Sequence, residues 1–167
     1  MNNTFPLKEI EAHFKQVLDK APAALGIDAV NFFVGSFKKQ GWQGAGFQPW
    51  AKRSNSSWNK KNNAGRSVLI QSGRLRRSIR VTAATTRTVT IGSDVPYARA
   101  HNEGFKGMVK QQVKPFTRKN GQHVKAFSRT INQNIPRRQF MGWNSPVLTE
   151  QLKRNLRTKL LTGIPNS

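Results

Sequence analysis

"SGRLRRSIRVTAATTRTVTIGSDVPYARAHNEG" (residues 72–104) carries three local patterns in succession. Leu75 and Ile79 are one helical turn apart, and Arg76, Arg77 and Arg80 fall on the other side. That spacing predicts a helical turn with an apolar inner face and a cationic outer one. The Thr- and Val-rich run that follows puts Val81, Thr82, Val89, Thr90 and Ile91 into a strand pair across residues 79–92. "VPYARAHNEG" (95–104) then predicts a short helix stopped by Gly104.

Outward from this stretch, the ends of the chain are helical. Leu7, Ile10, Phe14, Val17 and Leu18 recur at helical spacing over residues 7–20. Pro22 suits the first turn of a second helix, with apolar positions Leu25, Ile27, Val30, Phe33, Val34 and Phe37. Lys38 and Lys39 complement the dipole of its last turn, and Gly41 stops it. Near the C-terminus, Ser145 is an N-cap and Pro146 a first helical residue. Leu148, Leu152, Leu156 and Leu160 form the stripe of a helix ending near Gly163. Two segments resist this reading. Residues 41–66 are rich in Gly, Asn, Ser and Lys and read as a long loop, into which Trp42, Trp50 and Trp58 bring apolar area that must dock. Residues 105–134 read as a basic loop or hairpin, with Val109, Val113, Phe116, Val124 and Phe127 in its arms and Asn120-Gly121 at its turn. Residues 1–167 are expected to form one domain with these two extensions.

The charge is the strongest compositional signal. Lys and Arg number 29 against 7 Asp and Glu, a formal net charge of +22. Between Asp28 and Asp94 there are twelve Lys or Arg and no acid; between Glu103 and Glu150 there are nine and again none. Such segments cannot neutralise themselves and point to a polyanion or an acidic protein surface. Arg74, Arg76, Arg77 and Arg80 crowd one element, and Lys106, Lys110, Lys114, Arg118, Lys119, Arg137 and Arg138 follow. All are candidate contacts to DNA or an acidic partner, because guanidinium pairs with phosphate or carboxylate alike. The chain has no cysteine, which excludes disulfides and thiolate metal sites and fits a reducing compartment. No apolar run reaches the length of a membrane span, and the N-terminus lacks the pattern of a secretory signal. The expectation is a soluble protein made in a cytoplasm, with no membrane contact and no cofactor.

Catalytic readings fare poorly. His101-x-Glu103 is half of a zinc-deaminase pattern, but the other half needs cysteines. A different zinc site needs three protein ligands, and His13 and His123 lie in separate elements. A two-metal nuclease needs converging carboxylates, and only Asp94 and Glu103 occupy the middle of the chain. The simpler roles are a turn cap for Asp94, an arginine pair for Glu103 and a structural hydrogen bond for His101. Sequence-independent nucleic-acid binding remains the alternative to a structural role, with a nuclease behind it.

Four segments in order, "FQPWAKRS" (47–54), "LIQSGRLRRSIRV" (69–81), "VTIGSDVPYARAHNEG" (89–104) and "IPRRQFMGW" (135–143), resemble the tailed-phage virion morphogenesis proteins of the tail-completion, or head–tail joining, group. The matching residues are Pro49 and Trp50; Ser72, Gly73, Leu75, Ser78 and Ile79; Tyr97, Ala98, His101 and Gly104; and Pro136, Arg138 and Phe140. Asn102 departs from the glutamine that often follows the histidine. The resemblance implies an α+β fold, with a small, mainly antiparallel sheet packed against N-terminal helices and a C-terminal helix. It also implies a non-catalytic virion protein at the neck, assembled in the host bacterial cytoplasm. Such a protein forms a ring, commonly a hexamer, between connector or adaptor and tail terminator or tube proteins, around a channel for genomic DNA.

Overall fold

The computed structural model describes residues 7–53 and 67–162. Helix α1 (Leu7–Lys39) is followed by strands β1 (Gly41–Gln43) and β2 (Phe47–Pro49), helix α2 (Arg74–Ser78), strands β3 (Arg80–Ala84) and β4 (Val89–Gly92), and helix α3 (Ala98–Glu103). Strands β5 (Phe105–Val113), β6 (Phe116–Thr117), β7 (His123–Val124) and β8 (Phe127–Ile135) precede helix α4 (Pro146–Leu161). The fold is α+β. Its strands pair antiparallel in separate two-stranded ladders, β1–β2, β3–β4, β5–β8 and β6–β7, among the described residues.

The two expected N-terminal helices are one. Pro22 lies inside α1, where it removes a helical N–H and crowds the carbonyl of Leu18, at a cost of about 3 kcal/mol. Packing overrides that cost. Ala21, Gly26 and Ala29 are buried on either side of the proline, and α1 packs along α4 and against β3–β4. The chain leaves the helix through Gln40, whose φ of 56° is left-handed, rather than through Gly41. The Gln40 amide donates to the carbonyls of Phe37 (2.6 Å) and Val68 (3.2 Å) and accepts from the Val68 N–H (2.5 Å). Its backbone carbonyl accepts from the Trp50 N–H (2.9 Å), and the Arg53 guanidinium donates to the Ser67 carbonyl (3.3 Å). One glutamine thus ties together the two ends of the segment that runs from residue 53 to residue 67.

Part of the expected 41–66 loop is a hairpin, with Gly41 opposite Pro49 and Gln43 opposite Phe47. It carries Trp42 (2% exposed) into the core and leads directly to Trp50 (7%). Trp58 lies outside the described residues. The core is aromatic. Phe33 and Phe37 of α1 are wholly buried, as is Phe140. Phe37 meets Trp50 edge-on at 5.3 Å and Phe140 at 5.2 Å. The Trp50 indole N–H donates to the Gln139 carbonyl at 2.7 Å, so its polar atom is satisfied. Leu75, Ile79, Val95, Ala98 and Leu148 complete the core. The Ser145 hydroxyl accepts from the Leu148 N–H (3.1 Å) and donates to the Gln43 carbonyl, which caps α4 and docks it on β1.

Candidate functional site

The sequence candidates separate into a protruding arm and a cavity. The arm is β5 to β8. Nine residue pairs run from Phe105–Ile135 to Val113–Phe127, a length of about 30 Å at strand spacing. Beyond them β6 and β7 pair through Phe116–Val124 and Thr117–His123. The Asn120-Gly121 turn is closed by the Arg118 N–H to the Gln122 carbonyl (2.9 Å), with Gly121 at a φ of 83°. The arm joins the body at Gly104, whose φ is also 83° and whose absent Cβ leaves room for the Arg137 backbone nitrogen, 3.1 Å from where it would lie.

Residues paired across a ladder share a face, and faces alternate along each strand. One face of the arm therefore carries Phe105, Val109, Val113, Phe127, Ile131 and Ile135, interrupted by Gln133 and by the Gln111–Arg129 pair (2.8 Å). The other carries Lys106, Met108, Lys110 and Gln112 opposite Asn134, Asn132, Thr130 and Ser128. Lys114, Arg118 and Lys119 are exposed at the far end. Among the described residues the body leaves the apolar face open: Phe105 is 38% exposed and Phe127 42%. A lone two-stranded ladder is marginal in water, so this face calls for a neighbour.

The helical turn before β3 behaves as its pattern predicts. Leu75 and Ile79 are buried, while Arg74, Arg76, Arg77 and Arg80 are exposed. Arg77 donates to the Ser72 carbonyl at 3.0 Å, and Arg80 pairs with Asp94 at 3.5 Å. Asp94 is therefore an ion-pair partner rather than the expected turn cap; the Ser93 hydroxyl takes the Val95 N–H instead (3.2 Å). Ser78 is buried and bonds the Leu75 carbonyl (2.8 Å) and the Ser93 hydroxyl (2.6 Å). Glu103 pairs with Arg99 at 2.9 Å on the open surface of α3, an arrangement worth little.

Arg138 departs from expectation. It was a candidate surface contact and is 7% exposed, whereas Arg137 beside it is exposed and bonds the Gln139 side chain (2.5 Å). The Arg138 Nε donates to the Ala51 carbonyl (2.9 Å) and an Nη to the Lys52 carbonyl (3.4 Å). Burial, and then the charge of Arg53, push its pKa down. It lines a cavity of about 300 Å³ together with Arg53, Ser72, Arg74, Tyr97 and His101, and with Val68, Leu69, Gln71 and Leu75. The His101 ring stacks edge-on against Tyr97 at 5.8 Å. The structural hydrogen bond expected of the His101 side chain is not made among the described residues; its backbone carbonyl accepts from the Arg138 N–H at 2.8 Å instead. Its Nδ1 is buried without a partner among the described residues. Burial, and then Arg138, lower the imidazole pKa.

Residues from all four of the quoted sequence segments thus line one cavity. Trp50, Ile79, Ala98 and Phe140 enter the core instead, while Pro49 is exposed at the end of β2, Pro136 is exposed at the root of the arm and Gly73 takes a left-handed φ of 68° before α2. Arg53, Val68 and Leu69 escaped the sequence reading, because nothing in their local pattern says which distant segment they face. Among the described residues no group of three His, Asp or Glu could hold a metal ion, and no helix is long and apolar enough to cross a membrane.

Compared with known protein families, residues 18–158 match the phage virion morphogenesis family. Neither the curated proteins nor the solved structures gave a match. The family match covers both α1–α4 packing and the whole arm, so the chain belongs to the phage virion morphogenesis family.

Proposed function

We propose that this virion protein is a structural, non-catalytic subunit of the neck, joining the DNA-filled head to the tail as a ring, with six copies as the expected number. The observation that carries the proposal is the two-faced arm on a chain of +22 net charge. An apolar face along about 30 Å of ribbon needs a surface to lie on, and a neighbouring copy in a closed ring supplies one for every arm. The opposite face and tip bring Lys106, Lys110, Lys114, Arg118 and Lys119 toward the DNA channel or an acidic connector or tail protein. The ring would assemble in the host cytoplasm and remain in the virion.

Native mass spectrometry of the purified protein, with and without its connector, tests this reading. The expected result is a discrete oligomer, lost when Val109 and Ile131 on the apolar face are both changed to Asp. A monomer under all conditions, together with no density for the protein at the neck in virion reconstructions, would remove the proposal. The same basic face supports a second reading, in which free monomer binds DNA without sequence preference. Tight binding to random duplex with a steep salt dependence would favour it.

A further inference from the structure

The cavity beside α2 and α3 holds a cation with no counter-ion. Arg138 uses two of its five N–H donors on backbone carbonyls, and among the described residues no carboxylate pairs with it. Burying a guanidinium in this way is costly unless an anion completes it. The acids nearest in sequence to the cavity residues, Asp94, Glu103 and Glu150, are already paired with Arg80, Arg99 and Lys153. Residues 29–93 and 104–149 contain no other acid. Part of the cavity wall is held under strain, since Leu69 adopts a left-handed φ of 63° that a leucine rarely takes. His101 adds a buried ring nitrogen with no partner.

We propose that this cavity is a carboxylate-binding site, which takes an aspartate or glutamate side chain from an acidic, partly apolar segment of a partner protein. The inference holds wherever in the virion the protein sits. The lining favours a protein carboxylate over a nucleic-acid phosphate. The volume of about 300 Å³ is at the small end for a ligand pocket and admits an acidic side chain together with an apolar neighbour. The walls mix Arg74, Arg138 and His101 with Leu69, Leu75 and the Tyr97 ring, so an acid on a methylene stem, flanked by apolar neighbours, matches both parts. The site would anchor a partner segment at a point remote in sequence from the arm.

The three histidines, His13, His101 and His123, make the test direct. Imidazole resonances of the full-length protein are followed by NMR while three probes are added at low salt. These are the tripeptide acetyl-Leu-Glu-Leu-amide, its glutamine counterpart, and inorganic phosphate. The expected result is a saturable shift of the His101 signals with the glutamate peptide alone, with His13 and His123 unmoved. Arg138→Gln should abolish it, but Arg138 also holds residues 51 and 52 and the variant can fail to fold. Arg74→Gln, at an exposed position, keeps the test open and should weaken binding about threefold. A shift of His101 with phosphate but not with the glutamate peptide would overturn the assignment in favour of a phosphate site. Equal shifts with both peptides, or none with either, would overturn it outright.

Discussion

Two glycines of α1 should respond to alanine in opposite directions. Glycine in a helix interior is about 1 kcal/mol less favourable than alanine. At Gly35 a Cβ would meet nothing within 4 Å, so Gly35→Ala should gain that amount in full. At Gly26 a Cβ would lie 2.5 Å from one Val89 methyl and 3.1 Å from one of Val81. Ordinary carbon contacts need about 3.5–4.0 Å, so α1 and the β3–β4 hairpin would have to part by roughly 1 Å. Both valines are β-branched and stiff at χ1, which blocks the cheap escape of a rotamer change. Overpacking of this kind costs about 1–3 kcal/mol and exceeds the propensity gain. The propensity gain is common to both, so the two variants should differ by the packing cost alone, about 1–3 kcal/mol. Urea unfolding of both, at one protein concentration and followed by far-UV circular dichroism, reads this as a higher midpoint for Gly35→Ala and a lower one for Gly26→Ala. If Gly26→Ala proved as stable as Gly35→Ala, the close seating of α1 on the hairpin would be wrong.

Asn102 joins α3 to the strand-like segment at residues 140–141: its Oδ1 accepts from the N–H groups of Phe140 (2.9 Å) and Met141 (3.0 Å), and its Nδ2 donates to the Met141 carbonyl (3.1 Å). At about 1 kcal/mol for each bond, Asn102→Ala should lower stability by about 3 kcal/mol and the melting temperature by roughly 6–12 °C; calorimetry showing a change under 2 °C would contradict the network. Because burial lowers the His101 pKa in the folded state, the unfolded chain takes up that proton first as pH falls. The His101 contribution should be complete above about pH 6.5 and decline as pH drops toward the folded pKa. His101→Gln should flatten the pH dependence of stability below about pH 6.5, and an unchanged slope in urea titrations would exclude this source. Changing Lys110, Lys114 and Arg118 together to Glu should leave the melting temperature within a degree or two, since surface changes seldom matter to the fold, yet impair head–tail joining. Undiminished phage yield from that variant would speak against a contact role for the arm's charge.

The helical end of the chain was legible because each signal was local and independent. Ser145, Pro146 and the leucine stripe from Leu148 each specify a helix start or face, and α4 begins at Pro146. The β3–β4 pair and the stop at Gly104 were legible for the same reason. Pro22 misled because proline is a local penalty, while the continuity of α1 depends on what Ala21, Gly26 and Ala29 pack against. The β1–β2 hairpin escaped because three-residue strands are too short to show a period of two. The arm was legible as a hairpin from Asn120-Gly121 and its valines, but its two faces appear only once the register pairs Val109 with Ile131. The cavity was least legible. Tyr97, His101 and Arg138 each stood in a recognised motif, and no sequence signal states that those motifs share a wall.

The Gln40 clasp sets the evolutionary latitude of this protein. Because that side chain holds Val68, its carbonyl holds Trp50, and Arg53 reaches Ser67, the excursion between residues 53 and 67 starts and finishes at one place. Doubling the length of such an excursion adds only about 0.6 kcal/mol of closure entropy. A change in the length of that connection therefore costs the fold little, because the clasp that closes it is built from residues 40, 50, 53, 67 and 68 on either side of it.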